Sequence, residues 1–176
     1  WPSKNEGEDA RLYEAVETVS TFACQLGINI PTGKDSLSMA QKYPDGTKVL
    51  SPGTVIISAI AEVEDIRRTA SPDLKNVSGS KIIYINFSKD EFKLGGSSFA
   101  QVVNSLGQHV PTISDENYFI NCFEAIQHLV KHDLILAGHD VSSGGLITTL
   151  LEMCFPSQKI GMNLNVLALG KDLVKI

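Results

Sequence analysis

Gly138-His139-Asp140-Val141-Ser142-Ser143-Gly144-Gly145-Leu146 places a carboxylate, two hydroxyls and a flexible turn directly ahead of an apolar run. That combination suits phosphate and a hard cation. Unpaired amide groups and the positive end of a helix favour an anion, and Asp140 offers an oxygen ligand to Mg²⁺. The everyday alternative is structural: Asp and Ser before a helix are ordinary N-caps, and paired glycines are ordinary turn residues. A second polar cluster, Pro31-Thr32-Gly33-Lys34-Asp35-Ser36-Leu37-Ser38-Met39, adds weight to the ligand reading. Lys34 supplies positive charge of the kind that phosphoryl chemistry needs, since positioning and electrostatics do most of that catalysis. As a plain surface residue it would pair with Asp35, an interaction that is common and weak. Ser36 and Ser38 alternate, so both face one side of an extended strand, as they would in any half-exposed strand.

These clusters need elements to hold them. Leu134-Ile135-Leu136-Ala137 reads as a short buried strand and residues 146–153 as a helix, which puts the first motif at a strand-to-helix junction. The second follows a helix in which Leu12, Val16, Val19, Ala23 and Leu26 recur at helical spacing, with Glu8 and Asp9 at its positive end and Gly27 as its stop. Ser36 to Tyr43 continues as a strand turned by Pro44-Asp45-Gly46, with Val49 beginning the return. Residues 54–63, β-branched and nearly continuously apolar, give the strongest strand. Residues 81–87 form another strand, 97–106 a short helix ended by Gly107, and Ser114-Asp115-Glu116-Asn117 a capped start to a helix burying Phe119, Cys122, Phe123, Ile126, Leu129 and Val130. A strand over 162–166 and the opening of a helix at 171–176 complete the pattern. The charged, Pro- and Gly/Ser-containing sequence from Asp65 to Ser80 marks a boundary between two lobes, 1–75 and 76–176. Mixed strand and helix order points to an α/β or α+β fold. Both ends read as cut, so the expectation is a fragment.

Composition narrows the function. The 176 residues are 43% hydrophobic, enough for a packed core. A net charge of −5 gives no broad attraction to nucleic acid or an anionic membrane, so neither is expected as a partner. No apolar run reaches the ~18 residues of a membrane span, and Trp1-Pro2-Ser3-Lys4-Asn5-Glu6 lacks the features of a signal peptide, which leads to the expectation of a cytoplasmic protein. Cys24, Cys122 and Cys154 sit in apolar helical patterns as small hydrophobes. His128 and His132 lie four apart on a helix, but Leu129 follows the first where a zinc-protease pattern needs Glu.

Several stretches together resemble the large single-chain phosphoribosylformylglycinamidine synthases. They are Gly7-Glu8-Asp9-Ala10-Arg11-Leu12-Tyr13-Glu14-Ala15-Val16, Ile30-Pro31-Thr32-Gly33-Lys34-Asp35-Ser36-Leu37-Ser38-Met39, Val55-Ile56-Ile57-Ser58-Ala59 with Val63-Glu64-Asp65-Ile66-Arg67, Leu94-Gly95-Gly96-Ser97-Ser98, and Gly138 to Leu146. The resemblance runs along nearly the whole chain. It implies a fragment of the second synthetase half, built like aminoimidazole ribonucleotide synthetase: part of a mixed-sheet N-terminal lobe, then part of an α/β C-terminal lobe. The implied parent is a glutamine-dependent ligase of de novo purine biosynthesis. It uses ATP to activate the formyl amide oxygen of formylglycinamide ribonucleotide, and ammonia from glutamine then displaces the phosphate to give the formylglycinamidine product.

By matching motifs, the resemblance implies that Asp140 binds Mg²⁺ and Ser142 the nucleotide, ATP or ADP, at an auxiliary site whose role is structural. Gly33, Lys34, Asp35 and Ser36 fall where smaller relatives place ATP and substrate contacts in a Gly-Asn-Val-Ser stretch. Lys34 replaces that asparagine, which favours phosphate contact over a metal role. None of the cysteines lies in a nucleophile turn, so the glutaminase triad is not in this chain. The implied partners are the substrate, the nucleotide and the remaining domains of the parent, with ligase activity expected to be absent from the segment alone and a homodimer of it expected from exposed apolar edges. The competing expectations are a non-catalytic nucleotide-stabilised module, and a relative such as aminoimidazole ribonucleotide or selenophosphate synthetase, which Gly-Lys-Asp-Ser-Leu-Ser-Met disfavours.

Overall fold

The computed structural model describes residues 1–89, 92–157 and 159–165. They divide into two units, Trp1–Glu62 and the unit that begins at Val63. Within the first, α1 spans Glu8–Leu26 with Glu8 and Asp9 in its first turn. It ends as the glycine predicts: Gly27 adopts φ 69°, donating to Cys24 O at 3.1 Å, while Ile28 N–H reaches back to Ala23 O at 2.9 Å. This paired closure satisfies carbonyls that a helix end otherwise leaves open. The helix has no fully buried residue. Leu12, Val19, Ala23 and Leu26 are half-buried and Val16 is exposed, so the expected core face is only partly covered.

Beyond α1 the unit contains an antiparallel hairpin, β1 (Ala40–Lys42) and β2 (Lys48–Leu50), paired Ala40↔Leu50, Gln41↔Val49 and Lys42↔Lys48. The Pro44-Asp45-Gly46 turn forms as expected. Gly46 takes φ 88° and donates to Tyr43 O at 3.0 Å, and Thr47 N–H donates to Asp45 Oδ1 at 2.9 Å. The strand is shorter than residues 36–43, because its ladder stops near Met39, whose carbonyl accepts from Ser51 N–H at 3.2 Å.

In the second unit, α2 spans Ser98–Val102, α3 Glu116–Lys131 and α4 Gly145–Cys154. Ser97 caps α2 by accepting from Ala100 N–H at 3.2 Å, and Asp115 caps α3 by accepting from Tyr118 N–H at 2.9 Å. Helix α2 stops well before Gly107, where the chain takes a positive φ at Asn104. Phe119, Cys122, Ile126, Leu129 and Val130 of α3 are half-buried, as its periodicity predicts, whereas Phe123 is exposed.

Three expected strands require correction. Residues 54–63, 81–87 and 134–137 carry no ladder among the described residues. Apolar, β-branched composition favours extended backbone, but a strand also needs a partner's N–H and C=O groups. Ile56 is 85% and Ile60 100% exposed. Residues 162–165 are likewise outside any strand, while Val166 and the expected helix at 171–176 lie outside the described residues. Among the described residues the architecture is thus four helices and a small two-stranded sheet, a mixed content consistent with the expected α/β class.

Candidate functional site

The Gly138–Leu146 motif sits between the end of α3 and α4. Its entry is fixed by Gly138 N–H donating to Ser71 O at 3.0 Å, where a Cβ on Gly138 would meet the Ala70 methyl at 3.5 Å. Gly145 turns the chain into α4 at φ 78°, donating to Ser142 O at 2.9 Å, and Ser143 O accepts from Ser98 N–H of α2 at 3.1 Å. A side chain at Gly144 would run into Thr148, whose atoms come within 2.9 Å of the Cβ position. Two glycines thus serve different needs, one torsional and one steric.

Neither Asp140 nor Ser142 caps α4. The cap position is Gly144, which offers no side-chain hydrogen bond. Asp140 has a side chain 90% exposed, touched by His139 Nδ1 at 3.4 Å, and Ser142 is also exposed. On its other edge His139 Nε2 meets Glu152 Oε2 at 3.1 Å, so the imidazole joins the motif to the third turn of α4. Thr149, one turn earlier on the same helix face, directs its hydroxyl to Gly145 O at 3.1 Å and Asp140 O at 3.4 Å. His139, Thr149 and Glu152 were not singled out from sequence. The usable signal was the spacing of Thr149 and Glu152 on one face of the helix that the motif enters.

The open carboxylate suits Mg²⁺ held jointly with a nucleotide. That ion is commonly bound through one or two carboxylates, with phosphate oxygens and water completing its shell. Among the described residues no group of three or more His, Cys, Asp or Glu side chains is arranged to hold a metal alone. The donor set therefore fits a shared site better than an all-protein cage.

The second cluster lies in the first unit. Gly33, Lys34, Asp35 and Ser36 are all exposed, and nothing approaches the Cβ position of Gly33 within 4 Å. Lys34 Nζ donates to the Asp35 carbonyl and, at 3.4 Å, approaches Ser36 Oγ. Its expected ionic partner, the Asp35 carboxylate, is not engaged. The ammonium curls over its own loop, close to a hydroxyl that a phosphate would also seek. Ser3 holds the following residue through two bonds to Leu37 O, at 3.1 Å from its N–H and 2.9 Å from its hydroxyl.

Comparison with known proteins fits this arrangement of units. Residues 1–62 match the FGAR-AT PurM_N-like domain, and residues 78–173 match the AIR synthase related protein, C-terminal domain. Over 174 residues the chain is 41% identical to a probable phosphoribosylformylglycinamidine synthase, chloroplastic/mitochondrial, of Arabidopsis thaliana, covering 98% of this chain. It is also 41% identical over 156 residues, 88% of the chain, to the phosphoribosylformylglycinamidine synthase of Homo sapiens. It spans 12% of the length of each relative. No solved structure matches. The second of the two domain matches covers more than half of the chain, and the chain belongs to the AIR synthase related protein family.

Proposed function

We propose that this chain is a segment of a phosphoribosylformylglycinamidine synthase, a ligase of purine biosynthesis that uses ATP and takes its amido nitrogen from glutamine. The carrying observation is 41% identity along 98% of the chain. We assign residues 1–75 to the N-terminal lobe of an aminoimidazole ribonucleotide synthetase-like half and 76–176 to the start of its C-terminal lobe. The join falls within 63–77, which neither family match covers.

In this reading Asp140 binds Mg²⁺ and Ser142 a nucleotide, while Gly33, Lys34, Asp35 and Ser36 contact phosphate or substrate. Bound Mg²⁺ neutralises phosphate charge. The chain's own residues present the site: His139 stands between Asp140 and Glu152, and the start of α4 carries no side-chain cap to compete with a ligand. Lys34 adds positive charge at the other cluster. The glutaminase and the first synthetase half belong to other parts of the parent, so the segment alone has no ligase activity. We propose a cytoplasmic setting, supported by three unpaired cysteines, as in reducing compartments. The compartment in the Arabidopsis relative's name is that protein's own.

The exposure of Asp140 favours a second reading, in which the nucleotide stabilises the fold and does not turn over. Asp140→Asn in the full-length parent separates the two. Under either, ADP with Mg²⁺ raises the wild-type melting temperature by RT ln(1 + [L]/Kd) linkage, and the variant loses that shift. A normal turnover per folded molecule then selects the stabilising role, and a turnover reduced ten-fold or more selects catalysis. A nucleotide-dependent shift unchanged by the substitution would remove Asp140 from the site.

A further inference from the structure

A cavity of about 390 Å³ opens in the first unit, between the N-terminal segment and the hairpin. Its lining includes Lys4, Asn5, Ser38, Ala40, Lys42 and Lys48. Lys34 is not among its walls. No acidic side chain lines it among the described residues, and none of its three lysines forms an ion pair there. Lys48 Nζ approaches Asn5 Oδ1 at 3.3 Å, a neutral partner. The nearby carboxylate of Asp45 is occupied within the turn by Thr47 N–H.

The hairpin register concentrates the charge. Lys42 and Lys48 are direct cross-strand partners. Tyr43 N–H bonds Thr47 O at 2.8 Å and Ser51 N–H bonds Met39 O, so by alternation the 42/48 pair is a non-hydrogen-bonded one. Side chains come closest at such pairs, and like charges facing each other there are destabilising. Ala40 and Lys42 share a strand face by their period of two, and Ser38, just ahead of β1, lines the same cavity. In a chain of net charge −5, a cavity carrying three cations and no anion is a local reversal of sign.

We propose that this cavity binds the phosphate group of a soluble phosphorylated metabolite, with Lys42 and Lys48 flanking the dianion and Lys4 closing over it. The volume admits a ligand up to about mononucleotide size. An anion between the paired lysines turns their repulsion into shared attraction. Neither Asp140 nor Lys34 lines this cavity, and the proposal stands whether or not the ligase reading does.

The test is a ³¹P NMR titration of the full chain with inorganic phosphate and, separately, with AMP. Saturable binding is expected, weakened at least ten-fold in Lys42→Gln/Lys48→Gln, retained within three-fold in Lys42→Arg/Lys48→Arg, and unmoved in the control pair Lys75→Gln/Lys81→Gln. Without ligand the Gln pair is expected to melt no lower than wild type, since it removes the repulsion. Lys4→Gln, which leaves the hairpin untouched, gives a several-fold loss and serves if the double variant fails to fold. Absence of saturable binding, an equal loss in the control pair, or no loss in Lys4→Gln would overturn the proposal. Binding to phosphatidylserine vesicles that depends on Lys42 and Lys48, without binding of phosphate or AMP, would overturn it in favour of a lipid surface.

Discussion

At the scale of single residues, what constrains this chain most is where a side chain cannot go. Gly95 is buried, and its N–H donates to His109 O at 2.9 Å; a Cβ added there would stand 2.6 Å from that same carbonyl oxygen. The crowding atoms, His109 O, C and N, are all backbone, so no rotamer change relieves them. Gly95→Ala is expected to destabilise the chain by about 1–3 kcal/mol, the usual cost of forcing extra atoms into a packed place, read as a lowered melting temperature. Gly96→Ala meets open space but carries φ 73°, so a smaller loss is expected from it, of torsional origin. An equal effect at both positions would show that the His109 contact is not formed. The glycines of this stretch were legible in the sequence as part of a motif, yet their two separate reasons were not. A positive φ leaves a compositional trace, whereas a close approach depends on which distant backbone arrives, here one 14 positions along the chain. The same holds for His139: its motif could be read, but its contact with Glu152 required the path of α4.

At the scale of elements, local signals were read well and pairing signals poorly. Helix α1 and its Gly27 stop, the Asp115 start of α3 and the Pro44-Asp45-Gly46 turn all depend on chemistry within a few residues, and all formed. The same local chemistry leaves a mark in titration. The Lys89 ammonium and then the Tyr118 N–H hold the Asp115 carboxyl below its ordinary value. The Arg67 guanidinium, with its own N–H, does so for Asp65, and Thr47 for Asp45 through its N–H and hydroxyl. In each case the folded chain favours the charged form, so the stabilisation is complete above the unfolded carboxylate range of about pH 4 and is lost as pH falls through the lowered folded values. Stability is therefore expected to be flat with respect to these groups near neutrality and to drop below about pH 4. Asp115→Asn should lessen that acid slope while keeping an N-cap side chain. Urea midpoints measured from pH 7 to pH 3 check this, and an acid slope unchanged by the substitution would remove Asp115 from the account.

At the scale of the whole chain, the unpaired apolar segments carry the argument. Residues 54–63 combine β-branched, apolar composition with no ladder among the described residues, and Ile56 and Ile60 stand almost wholly in solvent. Unpaired strand-forming sequence of this kind is open to pairing with another chain, and exposed apolar surface favours association. Sequence identified the segment as strand material but could not say what completes its ladder, because that information resides in the partner's register and not in the strand's composition. We propose that the 176-residue chain in isolation self-associates through this segment, forming at least a homodimer. In the paired strand this proposal requires, Ile56 and Ile60 would share a face, being an even number of positions apart, which makes Ile56→Lys/Ile60→Lys the informative variant: it places charges on the proposed contact and leaves α1 and the hairpin intact. Sedimentation equilibrium over a concentration series is expected to show a mass rising with concentration in the wild type, and association at least ten-fold weaker in the variant. A wild type that stays monomeric throughout, or a variant that associates as strongly, would place the exposed isoleucines outside any interface between copies.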